Sequence, residues 1–141
     1  MKRIVLVAEG DTELCDVYRT FLTGRGHEVE TATDGLDCLE KLRRLNPAVL
    51  VLDLDLRWGG GDGVLAWLRE RPSPWLPVVL TATAGCPDGV AKFLEPPVVD
   101  YLPKPFTLKA LLASVRSALA GGQEAARKAS DASAFPEMFI G

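Results

Sequence analysis

The sequence predicts a doubly wound α/β fold, in which a five-stranded parallel sheet lies between two layers of helices. Short apolar segments alternate with segments of helical periodicity five times along the 141 residues. Such alternation builds parallel strands joined by right-handed helical crossovers. Two of the apolar segments, residues 4–8 and 48–52, contain no polar residue. Uninterrupted runs of this kind are typical of strands buried on both faces of a sheet.

The first strand and the first helix meet at a short acidic turn. The strand is predicted at Ile4–Ala8 and ends abruptly at the polar residues that follow it. From Thr12 onward the apolar residues take helical spacing. We therefore expect a helix that is capped by Asp11 or Thr12 and that ends at Gly24 or Gly26.

The second strand is short and alternating. Residues 28–32 place apolar and polar side chains in turn, as a strand with one buried face does. Asp34 and Gly35 then open a second helix, whose leucines recur at helical spacing on one face. Pro47 ends that helix, because proline cannot continue it.

The third strand is the most hydrophobic segment of the chain. It lies within residues 48–56 and is interrupted by Asp53 and Asp55. A glycine-rich segment, residues 58–63, follows and is expected to form a flexible loop beside the site. The third helix is predicted at residues 64–71.

The remaining elements repeat the same alternation. A fourth strand is predicted at residues 77–82 and a weak helix at 88–94. A short fifth strand is predicted at 98–102, and a last helix at 107–119. The predicted domain covers residues 1–121, and residues 122–141 form a tail. The first part of the tail, residues 123–129, has the composition of an extension of the last helix. The tail is interpreted as either disordered or a docking segment, since its apolar end follows a polar stretch.

Composition excludes several classes of protein. The net charge of −3 gives no basic footprint for nucleic acid or an anionic membrane, so any effect on DNA is expected to act through a partner. The amino-terminal apolar run is too short for a signal peptide, and no segment approaches the roughly 20 apolar residues of a membrane span. Three cysteines without paired spacing disfavour a disulfide framework. We therefore predict a cytoplasmic protein.

Polar side chains lie at or directly after the carboxyl ends of four of the predicted strands. The carboxyl ends of parallel strands meet at one edge of the sheet, where ligands bind in folds of this class. A cluster of buried carboxylates there is costly unless cations compensate it. A lysine supplies one such charge, and a hard divalent ion is the natural second. The residues are Glu9 and Asp11 after the first strand, Asp53 and Asp55 after the third, Thr81 in the fourth, and Lys104 after the fifth.

With these residues in this order, the sequence resembles the receiver domain of two-component response regulators, including the chemotaxis response regulator. The resemblance runs from about Arg3 to Leu119. The family pattern is an acidic pair after the first strand, a phosphoacceptor aspartate after the third, a hydroxyl after the fourth, and Lys-Pro after the fifth. The matching residues here are Glu9 with Gly10, Asp53, Thr81, and Lys104 with Pro105.

The resemblance implies a flavodoxin-like sheet of strand order 2-1-3-4-5 and a role for each residue. Asp53 is expected to accept a phosphoryl group from a phosphohistidine. Lys104 is expected to pair with the phosphate, and Thr81 to move and hydrogen-bond it. Tyr101 occupies the position of the family's switch aromatic. The peptide bond between Lys104 and Pro105 is expected to be cis.

The resemblance also implies Mg²⁺, but with a departure at the first strand. The ion would be held by Asp53, by the acid of strand one, here Glu9, and by the backbone carbonyl of Asp55. Gly10 stands where the family has its second acid, which is usually the direct ligand. The predicted affinity for Mg²⁺ is therefore weak, with Asp11 as an additional candidate ligand.

A second departure lies after the third strand. Counting from the preceding elements selects Asp53 as the acceptor, whereas counting back from the following helix selects Asp55. A two-residue insertion in the 58–63 segment resolves the difference in favour of Asp53, with Asp55 as the alternative. Trp58 at the start of that segment is interpreted either as a lid or partner contact, or as a packed side chain.

Three functions are compatible with these residues. The first is a phosphorylatable receiver, whose partners are a sensor histidine kinase or phosphotransfer protein and a downstream protein target, with a homodimer as a further expectation. The second is a pseudo-receiver that acts as a phosphorylation-independent interaction module. The third, an enzyme, is disfavoured because neither a cofactor fingerprint nor a nucleophile elbow is present.

Overall fold

The structure, a computed structural model, describes residues 3–58, 60–71, 76–83 and 92–134, with side chains through residue 121. Within these residues the chain forms five strands and four helices. In chain order they are β1 Ile4–Ala8, α1 Thr12–Gly24, β2 Glu28–Ala32, α2 Gly35–Leu45, β3 Val49–Asp53, α3 Gly60–Arg69, β4 Val78–Thr83, β5 Val98–Lys104 and α4 Leu108–Ala134.

All five strands belong to one parallel sheet. Its order is β2-β1-β3-β4-β5, which confirms the predicted doubly wound fold. The chain winds away from the centre in one direction through β2 and in the other through β4, so that β1 and β3 lie side by side at the point of reversal. The crevice outside the carboxyl ends of these two strands is where such folds bind ligands.

The two faces of the sheet bury different kinds of side chain. One face of β1 and β3 carries valines, such as Val7 and Val51, which pack against α1 and α4. The other face carries leucines, such as Leu6 and Leu50, which pack against α2 and α3. Alternation with a period of two residues produces this division, because successive side chains of a strand point to opposite faces. Both faces are covered, as a parallel sheet requires.

Helix caps fix where α1 and α2 begin. The Asp11 carboxylate accepts hydrogen bonds from the backbone N–H groups of Glu13 and Leu14, so Asp11 rather than Thr12 caps α1. The Asp34 carboxylate accepts from Asp37 N at 2.8 Å and caps α2. Such caps satisfy N–H groups that lack partners within the helix.

The expectation of a flexible glycine-rich loop is wrong where the structure describes it. Helix α3 begins at Gly60, not near residue 64, so Gly60 and Gly61 belong to its first turn. Gly61 is buried there against the end of β3. Glycine is a poor helix former, and for this reason the sequence pattern missed the first turn.

Helix α4 is longer than the predicted 107–119 and includes the predicted extension through residues 123–129. It continues past residue 119 to Ala134 and so crosses the predicted boundary between domain and tail at residues 121 and 122. That boundary stays a prediction. The apolar end of the tail, residues 135–141, lies outside the described residues, as does most of the weak helix predicted at 88–94.

Two further expectations can be compared with the structure. Cys15 and Cys38 are free and buried, and burial raises the pKa of the Cys38 thiol to about 12. Among the described residues, no helix is both long and apolar enough to cross a bilayer.

Candidate functional site

Asp53 is the last residue of β3 and lies at the bottom of the crevice. Only 4% of it is exposed. Its Oδ1 accepts a hydrogen bond of 2.9 Å from the backbone N–H of Asp55, and its Oδ2 lies 3.3 Å from the ammonium of Lys104. A buried carboxylate needs such partners, because burial without them is costly.

Glu9 follows β1 and is buried as deeply as Asp53, with 3% exposed. Its Oε2 accepts from the backbone N–H of Asp11 at 3.0 Å. Its Oε1 lies 2.7 Å from the Lys104 ammonium. Burial raises the pKa of the Glu9 carboxyl, and the neighbouring negative charge of Asp53 adds to the effect. The hydrogen bonds from Asp11 and Lys104 oppose it.

Lys104 ends β5 and places one cation between the two carboxylates. Burial acts to lower the pKa of its ammonium, but the hydrogen bond to Glu9 and the charge of Asp53 together outweigh burial and raise the pKa above its ordinary value. Lys104 is therefore charged at neutral pH. Glu9, Asp53 and Lys104 form what we call the charged trio. The Lys104–Pro105 peptide bond is cis.

Thr81 and Tyr101 lie on the strands that continue the site. Thr81 is paired in register with Asp53, is 2% exposed, and accepts a backbone hydrogen bond of 2.8 Å from Leu54. Tyr101 is paired with Leu80 in β4. Its half-buried side chain packs against the core on the side of α2 and α3. The sheet thus brings Thr81 next to the charged trio and places Tyr101 one strand further out.

The two remaining predicted acids are exposed and bound to local partners. Asp55 Oδ2 accepts a hydrogen bond of 3.2 Å from the Thr83 hydroxyl. The Asp11 carboxylate caps α1, as described above. Within the described part of the chain, no three His, Cys, Asp or Glu side chains come together as a metal-binding group. The predicted ligand set of Glu9, Asp53, the Asp55 carbonyl and Asp11 therefore stays a prediction.

Several residues near the site were not singled out by sequence. The ring of Tyr18 in α1 stacks on Phe106 with a centroid distance of 5.5 Å, directly after the Lys104–Pro105 bond. Helical spacing placed Tyr18 on the inner face of α1, but no local signal indicates which residue it meets. Gly61 belongs to the glycine-rich segment that the sequence did indicate, but no local signal shows its close contact with the Asp53 carbonyl.

Trp58 projects from the segment between β3 and α3. It is 71% exposed, which rules out the packed interpretation. Its φ of 55° lies in the left-handed region, where a bulky residue is strained. The backbone at Trp58 is in close contact with Gly35 at the start of α2, and Gly35 N donates to Arg57 O at 2.8 Å.

A sequence model of the response regulator receiver domain matches residues 5–116. The chain belongs to this family. Receiver domains are signalling domains of two-component systems. The matched residues contain the charged trio, Thr81 and Tyr101, and they end within α4.

The relatives agree with the family assignment. The response regulator MprA of Mycobacterium leprae is 36% identical over 115 residues, covering 82% of this chain and 50% of the relative. The transcriptional regulatory protein AfsQ1 of Streptomyces coelicolor is 32% identical over 136 residues, covering 96% of this chain and 58% of the relative. The receiver therefore spans about half the length of these two relatives.

A solved structure shows the same fold. The CheY-like response regulator receiver domain protein from Methanospirillum hungatei superimposes with a TM-score of 0.80 at 19% identity, covering 88% of this chain and 98% of that one. At that identity the likeness supports the fold alone. The strand order of the sheet is the one that the resemblance implied.

Proposed function

We propose that this receiver is phosphorylated on Asp53 by a histidine kinase or a phosphotransfer protein. The observation that carries the proposal is the position of Asp53, which is buried in the crevice with one carboxylate oxygen 3.3 Å from the Lys104 ammonium. Asp55, the alternative acceptor, is exposed and hydrogen-bonded to Thr83. A nucleophile needs a fixed position and a nearby charge, and Asp53 has both.

In the proposed reaction a carboxylate oxygen of Asp53 attacks phosphorus, and the bond from phosphorus to the imidazole nitrogen of the donor breaks. The products are an acyl phosphate on Asp53 and a free histidine on the donor, whose nitrogen keeps the bonding electron pair. Lys104 offsets the negative charge of the transferred group. Its ammonium is already held in place by Glu9, so little rearrangement is needed.

The donor atoms of the crevice suit a hard divalent cation such as Mg²⁺. Glu9 and Asp53 are two buried carboxylates whose oxygens both approach the same ammonium, and Mg²⁺ is commonly held by one or two carboxylates together with water and phosphate oxygens. These two residues and the Asp55 carbonyl would hold the ion, which would neutralise phosphoryl oxygens. We infer weak binding, because Gly10 provides no side-chain oxygen and Asp11 Oδ1 is engaged by α1.

The proposed switch runs from Thr81 to Tyr101. Thr81 lies in β4 beside the acceptor, and its hydroxyl is proposed to move toward the new phosphate. Tyr101 lies in the middle of β5, paired with Leu80, the residue before Thr81, and its ring is proposed to follow. The altered surface would bind a downstream protein, or a second copy of the chain.

Location in the cytoplasm stays a prediction.

Net charge predicted no direct contact with nucleic acid. The relative from Streptomyces is named a transcriptional regulatory protein. For that protein the name points to an effect on transcription, and it weakens our expectation that a protein containing this domain has no contact with nucleic acid.

The test is labelling by acetyl phosphate in the presence of Mg²⁺, followed by intact-mass spectrometry. Asp53→Asn should abolish the added phosphoryl mass, since the amide keeps an oxygen for Asp55 N but is not a nucleophile. The matched control is Asp55→Asn, which should be labelled like the wild type. Labelling that survives in Asp53→Asn and disappears in Asp55→Asn would assign the acceptor role to Asp55.

The pseudo-receiver is the second candidate, and Gly10 is the observation that favours it. The names of the relatives, which are those of response regulators, give it no support. Wild-type protein that is folded by circular dichroism but takes no label from acetyl phosphate or phosphoramidate would establish it.

A further inference from the structure

The first turn of α3 rests directly on the peptide that follows the acceptor. A methyl group at Gly61 would lie 2.6 Å from the carbonyl oxygen of Asp53 and 2.6 Å from Cα of Leu54. The backbone N–H of Gly61 also donates to the carbonyl of Leu54 at 3.3 Å. Carbon atoms of side chains essentially never approach backbone atoms this closely. Any residue other than glycine at position 61 would therefore force this backbone to move.

The atoms that Gly61 touches cannot give way without moving the acceptor. The Asp53 carbonyl also accepts from Leu56 N at 3.3 Å. Leu54 N donates to Thr81 O at 2.8 Å. The Asp53–Leu54 peptide is therefore held on one side by β4 and on the other by α3. A displacement of this peptide carries the Asp53 side chain with it and changes its distance from Lys104.

We propose that Gly61 is a positioning residue for the phosphoacceptor, because only glycine lets α3 pack on the Asp53–Leu54 peptide while the Asp53 carboxylate stays beside Lys104. The inference rests on the proposed function, in which Asp53 is the acceptor. It also gives a role to the glycine-rich segment: the segment positions the acceptor by close contact of backbone on backbone.

The experiment measures the rate of labelling by acetyl phosphate for Gly61→Ala and two controls. Gly35→Ala meets an even closer backbone contact, with the Trp58 carbonyl, but does not touch Asp53. Gly63→Ala lies in the same helix with nothing within 4 Å of the added carbon. Gly61→Ala should lower the rate by about 10²-fold, the usual effect of a displacement near 1 Å at a reacting group. Both controls should keep the wild-type rate per folded molecule.

Folding is separated from positioning in two ways. Rates are divided by the folded fraction, measured by circular dichroism in trimethylamine N-oxide, which favours compact states. Gly61→Ala is also made in the Gly63→Ala background, since alanine strengthens the helix. The inference predicts a folded but slowly labelled protein in both backgrounds.

Three results would contradict the positioning role of Gly61. Equal rates for Gly61→Ala and wild type, or an equal loss in Gly35→Ala, would overturn the positioning role. A Gly61→Ala chain that stays unfolded in both backgrounds would also overturn it, because Gly61 would then be required for folding alone. Wild-type protein that takes no label would instead refute the proposed function.

Discussion

The carboxyl ends of β1 and β3 carry the same local hydrogen bond, but their buried carboxylates lie at different distances from the Lys104 ammonium. After β1, Glu9 accepts a hydrogen bond from Asp11 N at 3.0 Å. After β3, Asp53 accepts one from Asp55 N at 2.9 Å. In each case the first acid is buried and the second is exposed. Lys104 distinguishes the two ends, since its ammonium lies 2.7 Å from Glu9 and 3.3 Å from Asp53.

This difference suggests a division of labour between two buried carboxylates. Glu9 has the shorter contact and fixes the lysine. Asp53 has the longer contact, so its oxygen is less tightly engaged, which fits the proposed attack on phosphorus. On the proposed function, two buried carboxylates in one crevice would take different roles because they share a single cation unequally.

Replacing Lys104 with methionine should have the largest effect, because it removes the cation that both strand ends share. Methionine keeps much of the apolar stem. Labelling of Asp53 by acetyl phosphate should slow by about 10²–10³-fold, the usual cost of removing one preorganised donor from a reacting centre. The check is a time course by intact-mass spectrometry. A near-normal rate in a folded variant would show that the lysine serves only Glu9.

Gly10→Asp should make the end of β1 more like a binding site for Mg²⁺. A side chain fits there, since its first carbon would lie 3.8 Å from the Thr33 carbonyl. The added carboxylate should tighten Mg²⁺ binding by about 1–2 kcal/mol, the contribution of one charged ligand at a partly exposed site. Isothermal titration measures it, with Gly10→Ala as the control. Equal affinity in wild type and variant would mean that Glu9 or Asp11 already fills the position.

Asp11→Ala should show whether Asp11 acts only as the cap of α1 or also at the site. Loss of the bonds to Glu13 and Leu14 should lower the free energy of unfolding by about 1 kcal/mol, measured by urea denaturation. Asp16→Ala, which removes an exposed ion pair with Arg19 on the same helix, is the control and should change stability less. A slower labelling rate in Asp11→Ala would instead indicate that Asp11 acts on the acceptor.

The smallest expected effect is a trend with pH in the stability of Glu9→Gln relative to wild type. Burial raises the pKa of Glu9 above its ordinary 4.5, so folding favours the protonated carboxyl. Its contribution to stability is therefore complete below 4.5 and declines as pH rises through the raised pKa. Urea denaturation of both proteins from about pH 4 to pH 7 measures the trend. We therefore expect the unfolding free energy of the wild type minus that of Glu9→Gln to fall as pH rises. A value of this difference that grows with pH would contradict the prediction.

Patterns local in sequence predicted most of the fold. Alternating apolar segments gave the strands and the sheet class, because burial on two faces leaves a clear signature in β1 and β3. Strand ends also led to Asp53, Thr81 and Lys104, since parallel strands bring their carboxyl ends together. The structure places these residues at one edge, whereas their roles stay proposals.

Contacts between distant segments were not predictable. The start of α3 at Gly60 depends on the close approach of Gly61 to Asp53, and helix propensity alone disfavours both glycines. The stacking of Tyr18 on Phe106 likewise joins α1 to the segment after β5, two elements that are far apart in the sequence. The unequal sharing of Lys104 is set by distances between β1, β3 and β5 that no sequence spacing encodes.

Lys104 reaches the site from β5, the strand at the edge of the described sheet. The pairing of β5 with β4 has a register shift near its start, and Pro103 has no N–H to donate. Sheet edges open locally at a lower free energy than that of global unfolding. If β5 opens, Glu9 after β1 and Asp53 at the end of β3 lose their common cation. Local opening of β5 would therefore take the site apart without global unfolding, and we expect the amide hydrogens of β5 to exchange before those of β1 and β3.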